Sequence, residues 1–228
     1  MNSHSPDVWI VIAAYNEAPI IADVLADVQS TGHRILVVDD GSTDATADIA
    51  ANARAMVIKH IINLGQGAAL QTGIDYALLY GADIIVTFDA DGQHRASDIP
   101  SLIEALRQSG AQFALGSRFL GKTLNMPLSR RILLKGATWF TRLMTGLHIT
   151  DSHNGLRAIS RSGARALRLT QNHMAHASEI LHQIARSGLK YVEIPITIEY
   201  SRYSLAKGQR LRNSIAIIVD LFARSLRQ

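Results

Sequence analysis

The 228-residue sequence contains no cysteine. That excludes disulfides and thiolate metal sites, and it suits a reducing cytoplasm. Aromatic residues are sparse at 6% and are not interleaved with the basic ones, so the stacking platforms of a nucleic-acid binder are missing. No stretch approaches the ~20 uninterrupted apolar residues that a spanning helix needs. The amino terminus lacks a basic region followed by a long apolar core, so no secretory signal is expected. Internal repeats and low-complexity linkers are also missing, which leaves one domain with a short appendage as the simplest partition.

What is present is a chain that is 47% apolar, enough for a sizeable core, with a formal charge of +4. The charge is uneven. Acids concentrate in the first half, while Arg and Lys crowd into Arg118–Arg142 and Arg202–Arg227. A basic second half points to an anionic partner: phosphate, nucleic acid or an acidic membrane face.

Apolar runs of strand length alternate with helical spacing. Strands are expected at Val8–Ala13, Arg34–Val38, Met56–Lys59, Ile84–Phe88 and Phe113–Leu115. Helices are expected at Ala18–Val28, Thr43–Ala53, Gln66–Tyr80 and Ser97–Gln108, the last with Ser97 as its N-cap. This alternation implies a mostly parallel sheet with helices on both faces. Beyond Gly116 the pattern changes to a basic helix over Leu128–Gly146 and a helix over Ala175–Arg186. An alternating strand follows at Tyr191–Tyr200, whose Pro195 favours an edge or bulge position. Gly208–Leu226 closes the chain as an amphipathic helix.

The polar motifs fall at the ends of the strands. Ala14-Tyr15-Asn16-Glu17 follows the first, Asp39-Asp40-Gly41-Ser42 the second, Asn63-Leu64-Gly65-Gln66-Gly67 the third and Asp89-Ala90-Asp91 the fourth. In a parallel sheet all four meet at the carboxyl edge, where such sheets bind ligands. Asp89 and Asp91 repel unless a cation sits between them or one of them holds a proton. A hard cation on one or two carboxylates completes its shell with phosphate oxygens and water. The residues therefore point to a divalent metal carrying a phosphorylated substrate. Tyr15 and Glu17 suit a base or ribose, and Asp39 and Asp40 suit the N–H edge of a base or a ribose hydroxyl. The plainer alternatives are a helix-start acid for Glu17 and a turn capped by Ser42 for the Asp pair. Gly65 and Gly67 match neither a dinucleotide fingerprint nor a P-loop.

These motifs, together with Gly116-Ser117-Arg118-Phe119, appear in an order that resembles the family 2 glycosyltransferases, in particular the dolichol- and polyprenol-phosphate mannosyl- and glucosyltransferases. The resemblance runs from about Val8 to Asp220. It implies the GT-A fold, a nucleotide-sugar donor linked to GDP or UDP, Mg²⁺ or Mn²⁺, and transfer with inversion at the anomeric carbon. By position it implies Asp89, Asp91 and Gln93 for the metal, and Ala14, Tyr15, Glu17, Asp39, Asp40, Ala68, Asp89 and Ala90 for the nucleotide sugar. It implies Arg118, Arg131 and Arg202 for an acceptor phosphate. Asp91, Asp151 and Arg118 are the implied catalytic group, Asp151 through the element Asp151-Ser152-His153-Asn154-Gly155-Leu156-Arg157.

The acceptor decides what further chemistry is required. A sugar hydroxyl needs a general base, for which Asp151 is the candidate. A phosphate monoester is already an anion and needs cations, for which planar Arg groups are suited. The Arg excess favours a polyprenyl phosphate. The alternatives are a saccharide hydroxyl, or a noncatalytic nucleotide-sugar-binding subunit. Asp151 has an equally weighted second reading as an orienting residue paired with a nearby Arg. A lipid acceptor requires a membrane, and Leu128–Phe140 and the last helix both mix apolar and basic residues as interfacial helices do. Peripheral attachment at the inner face of the membrane, or to a small membrane protein, is expected, with no nucleic-acid partner. Residues 1–205 are expected as one GT-A domain, with a nucleotide-sugar half at about 8–116 and an acceptor half at about 117–205, and 206–228 as the terminal helix. His173, His176 and His182 lack a metal spacing, Glu179 shares a helix face with His176, and Trp139 and Phe140 are expected in the core.

Overall fold

A computed structural model describes residues 5–170, 176–201, 203 and 204. The strands are β1 Val8–Ala14, β2 Arg34–Asp39, β3 Met56–Lys59, β4 Ile84–Asp89, β5 Phe113–Leu124, β6 Arg157–Ser160 and β7 Tyr191–Glu199. The helices are α1 Ile21–Gln29, α2 Thr46–Asn52, α3 Gln66–Leu79, α4 Ile99–Ser109, α5 Leu128–Thr145, α6 Arg161–Ala166 and α7 His176–Ser187. The strands form one seven-stranded sheet in the order β3-β2-β1-β4-β6-β5-β7.

β1 lies near the middle of the sheet and is apolar throughout because helices cover both of its faces. Ile10 and Ile12 pack with Val24, Leu25 and Val28 of α1 and with Leu102 and Leu106 of α4. Trp9 and Val11 face the other way, with Leu70 and Ile74 of α3 and Ile180 and Ile184 of α7. Each such buried side chain stabilises by about 1.5–3 kcal/mol over its exposed state. Central strands therefore hold their carboxyl ends, and the loops leaving them, rigidly.

Strands β1 to β4 run parallel, so the loops after them share one edge. Parallel order stops at β4, whose other neighbour is β6, running antiparallel and paired Thr87↔Arg157. β6 is also antiparallel to β5, which is parallel to β7. The start of β6 thus lies against the end of β4. The sequence reading missed β6 and α6: Arg157–Ser160 has only Ala158 and Ile159 as apolar residues, too few to show a run or a period. β5 runs far beyond the expected Leu115, to Leu124. Its second half pairs with β7 after a register shift between Ser117 and Lys122, and it alternates half-buried and exposed residues without a continuous apolar run. Pro195 lies in β7 at the sheet edge, as expected.

Three helix starts also differ. α2 begins at Thr46, not Thr43. α1 begins at Ile21, not Ala18: Pro19 disfavours helix at Ala18, and the Glu17 carbonyl accepts from the N–H groups of Ile20 and Ile21. Ser97 does not cap α4; it lies in a 3₁₀ turn at Ala96–Asp98 that leads into the helix. Trp139, expected in the core, is 67% exposed on α5. The expected C-terminal helix, and Arg202, lie outside the described residues. Among the described residues no helix is long and apolar enough to cross a membrane.

Candidate active site

The loops after β1 and β2 are sewn together. Asn16 N–H donates to Ser42 Oγ (2.9 Å), Glu17 N–H to Thr46 Oγ1 (2.8 Å), Ala18 N–H to Asp44 Oδ2 (3.1 Å) and Thr43 N–H to Asn16 Oδ1 (2.9 Å). Asn16 takes a φ of +53°, which Asn tolerates better than most side chains. Burial pushes the Asp44 carboxyl up, but the hydrogen bonds from Thr46 and Ala18 outweigh it and hold it below its usual range.

Asp40 organises the third loop. Its Oδ1 accepts from His60 Nδ1 (2.8 Å) and Leu64 N–H (3.0 Å), and its Oδ2 from Gly65 N–H (2.7 Å). Much of its acceptor capacity therefore goes to the backbone that shapes the cavity. Asp39 differs. Its side chain is buried and neither carboxylate oxygen has a protein hydrogen-bond partner. A buried acid without a donor carries a desolvation cost, which a ligand N–H or O–H relieves.

The acid pair follows β4. Asp89 accepts from Gln66 Nε2 (3.1 Å) on Oδ1 and from His94 Nε2 (3.0 Å) on Oδ2. Asp91 accepts from the Gln93 backbone N–H (3.0 Å) and from its side-chain amide (2.5 Å). Burial, and next the charge of Asp89, push the Asp91 carboxyl up to about 6. Gly155, just before β6, closes the third side of Asp89, where a Cβ would overlap the carboxylate. Behind them Arg157 is buried, and burial lowers its guanidinium to about 10 against the opposing pull of Asp89 and Asp151.

Whether these groups fit a cation can be read from their donors. Among the described residues no three His, Cys, Asp or Glu side chains form a self-sufficient metal cage. Two carboxylates that repel fit Mg²⁺ or Mn²⁺ sharing its shell with phosphate oxygens and water; the Gln93 amide turns its N–H, not its oxygen, to Asp91. They do not fit a closed structural site.

The other end of the site is cationic. Arg118 Nε donates to Asp151 Oδ2 (2.6 Å), as does the Arg118 backbone N–H (3.1 Å). Its Nη1 donates to Tyr200 Oη (2.7 Å) and its Nη2 to the His153 carbonyl. Burial by itself lowers the Arg118 guanidinium, but Asp151 and Tyr200 outweigh it and raise it. Glu193 of β7 fixes the loop that carries Asp151, accepting from Thr150 N–H (2.8 Å) and Asp151 N–H (3.2 Å). Arg130 of α5 lies over the Tyr200 ring, 4.8 Å from its centroid. Tyr203 Oη donates to Glu17 Oε2 (2.7 Å), which ties the segment after β7 to the loop after β1.

One cavity of about 570 Å³ joins the two ends. Of the residues picked from the sequence, Ala14, Tyr15, Glu17, Asp40, Asp89, Ala90, Asp91, Gln93 and Arg118 line it. Asp39 and Ala68 do not, and Asp151 lies behind Arg118 with a fully buried side chain. Arg131 is exposed on α5 and does not line the cavity; its neighbour Arg130 does. The difference is one step of 100° around a helix, which residue type alone does not reveal. Sequence reasoning also assigned no role to Gln66, His94, His153, Gly155 or Ser204, all on the wall. Gln66, His153 and Gly155 stand inside motifs already noted, and His94 directly follows Gln93. Ser204 lies two residues after Arg202, in the stretch that resembles a family element for the acceptor phosphate. Glu179 has a structural partner, accepting from Thr170 N–H (2.9 Å).

The profile described as Glycosyl transferase family 2 matches residues 9–168. The chain is 35% identical over 236 residues to UDP-N-acetylglucosamine–dolichyl-phosphate N-acetylglucosaminyltransferase of Methanococcus voltae, covering 94% of each chain. It is 34% identical over 203 residues to undecaprenyl-phosphate mannosyltransferase of Micrococcus luteus, covering 83% of this chain and 82% of the other. Its fold is similar to the crystal structure of glucosyl-3-phosphoglycerate synthase from Mycobacterium tuberculosis in complex with Mn²⁺ and UDP-glucose. The TM-score there is 0.72 at 20% identity, over 95% of this chain and 79% of the other. The expected GT-A fold is the one found.

Proposed function

The chain belongs to glycosyl transferase family 2, and on that premise we propose that it moves a hexose from a nucleotide sugar to a polyprenyl phosphate, with inversion at the anomeric carbon. It is a glycosyltransferase of the polyprenol-phosphate branch; the donor, metal, acceptor and residue roles are our reading. The observation that carries this reading is the single cavity with acids at one end and Arg118 and Arg130 at the other.

At the acidic end, Asp89 and Asp91 hold Mg²⁺ or Mn²⁺, which when bound supplies Lewis-acid neutralisation of the departing diphosphate. Gln93 reaches that cation with its amide oxygen once its N–H bond to Asp91 is given up. Glu17 and Tyr15, both on the cavity wall, meet the base and ribose of the nucleotide. The relatives bear names with different sugars, and an acid reads uracil and guanine alike, so the sugar and base are fixed by assay. At the basic end, the remaining N–H groups of Arg118 and those of Arg130 grip the acceptor phosphate. A phosphate oxygen attacks the anomeric carbon while the bond from that carbon to the diphosphate breaks. The attacking oxygen carries no proton, so no base is needed. The carboxylate expected as a base, Asp151, is bound to Arg118 outside the cavity wall. We assign it the orienting role.

The same helix provides the approach to lipid. Leu128, Ile132, Trp139 and Leu143 of α5 form an exposed stripe at helical spacing, flanked by exposed Arg131 and Lys135. Such a face suits an anionic membrane surface. Arg130 on that helix lines the cavity, so a phosphate headgroup reaches the site while its chain stays in lipid.

The test is transfer from UDP-N-acetylglucosamine, UDP-glucose and GDP-mannose to a short polyprenyl phosphate with Mg²⁺ or Mn²⁺. A lipid-linked monophosphate sugar is expected from one donor, lost in Asp89→Ala and Asp91→Ala. Product with a saccharide acceptor but none with lipid phosphate overturns the acceptor. No product with any pair leaves a noncatalytic nucleotide-sugar-binding subunit.

A further inference from the structure

Asp89 is held from two sides by side chains that the reaction itself does not use. Gln66, the first residue of α3, donates to Oδ1 at 3.1 Å, and His94 donates to Oδ2 at 3.0 Å. A carboxylate oxygen has two lone-pair positions, so one donor on each oxygen does not by itself saturate either. The donors come from different elements, on opposite oxygens. Rotation of the carboxylate about its own bond therefore breaks at least one of them.

His94 has little else to do. Its side chain is 3% exposed, and its ring meets Phe88 edge-on at 5.5 Å. Its Nδ1 is buried with no hydrogen-bond partner. An Asp carboxylate oxygen only accepts, so Nε2 is the donor in that contact. The backbone is fixed as well: His94 bridges Ile198, and Glu199 N–H donates to the Gln93 carbonyl at 3.0 Å. A buried imidazole anchored at its backbone, with its one bonded ring nitrogen on a ligating carboxylate, matches the outer groups that orient metal ligands.

We propose that His94 and Gln66 are positioning residues that clamp the Asp89 carboxylate in the orientation that receives the divalent cation. This rests on the reading of Asp89 as a metal ligand and deepens it. The clamp acts on cation affinity, by sparing the carboxylate an ordering cost on binding. It does not act on the nucleotide directly.

The experiment is calorimetric titration of Mn²⁺ into the purified full chain, in the presence of UDP and separately of GDP, for the parent, His94→Leu, His94→Gln and Gln66→Leu. UDP and GDP are also titrated without metal, and thermal unfolding checks the fold. His94→Leu and Gln66→Leu are each expected to weaken Mn²⁺ binding about tenfold to a hundredfold. His94→Gln, which returns an N–H to the same region, is expected to recover most of it. Metal-free nucleotide binding is expected to weaken much less than Mn²⁺ binding, although both residues line the cavity. Mn²⁺ affinity within about twofold of the parent in either folded Leu variant overturns the clamp. Equal weakening in His94→Gln and His94→Leu also overturns it, since the effect is then packing. If His94→Leu fails to fold, half-buried Gln66 carries the test. A parent protein that binds no Mn²⁺ with either nucleotide overturns the functional reading itself, and the clamp with it.

Discussion

Arg118 and Asp151 form a buried ion pair, Nε to Oδ2 at 2.6 Å, with side chains 5% and 0% exposed. Removing one partner of such a pair strands the other, which costs about 3–5 kcal/mol. Asp151→Ala is therefore expected to lose that much in urea unfolding. Asp151→Asn keeps an acceptor for Arg118, so it should lose less and retain measurable transfer to a phosphate acceptor. Near-complete loss of that transfer in a folded Asp151→Asn protein would return Asp151 to the role of base.

Arg130 and Arg131 separate two jobs on one helix. Arg130→Ala is expected to raise KM for a short, soluble polyprenyl phosphate roughly tenfold to a hundredfold, the worth of one or two hydrogen bonds to a charged group. Arg131→Ala should leave that KM nearly unchanged. The reverse ranking in steady-state kinetics sinks the assignment of Arg130 to the phosphate.

Asp91 gives the site a pH signature. With its carboxyl pushed up to about 6 by burial and then by Asp89, it gains a proton as pH falls through that value. Mn²⁺ affinity should therefore drop below about pH 6, because the cation needs the carboxylate. Metal-free stability runs in the opposite sense. The folded state holds this proton more tightly than the unfolded chain, so Asp91 costs stability as pH rises from about 4 to about 6 and beyond. With EDTA present, Asp91→Asn should stabilise the protein at pH 7 by on the order of 1–2 kcal/mol, allowing for solvent in the cavity, and far less at pH 4. Equal denaturation differences at both pH values rule this out.

Gly155→Ala tests the third side of Asp89. A Cβ there overlaps the carboxylate, so the acid must turn away. The variant is expected to fold, at a cost of about 1–3 kcal/mol for overpacking, and to lose most Mn²⁺ binding. Unchanged metal affinity refutes the close approach.

The α5 stripe predicts a salt-dependent lipid contact. Leu128→Ser with Trp139→Ser should reduce sedimentation with vesicles containing anionic lipid, while transfer to a soluble acceptor continues. Binding that is equal on neutral vesicles and insensitive to salt removes the basic flank from the explanation.

Much of this was legible because β1 to β4 are buried on both faces, and their apolar runs announce both the strand and the place where it stops. Ala14, Glu17, Asp40, Asp89 and Asp91 follow directly from that. The rest depended on contacts that sequence spacing does not encode. Asp39 and Asp40 look alike in a row of letters, yet one is bonded to Leu64 and Gly65 and the other has no partner. Arg131 and Arg130 differ only in which way a helix is turned. β6 escaped notice because its place between β4 and β5 is a property of the sheet, not of its four residues.

The Arg118–Asp151 pair also bounds a piece of chain. The two residues are 33 positions apart, and between them lie the outer half of β5 and all of α5, which carries Arg130 and the exposed apolar stripe. The piece is fastened at its base by that pair and along its length by the ladder between β5 and β7, while the groups around Asp89 rest on β4, β6 and α3. On the proposed function, lengthening or replacing it is expected to alter which acceptor is admitted and to leave the donor end in place.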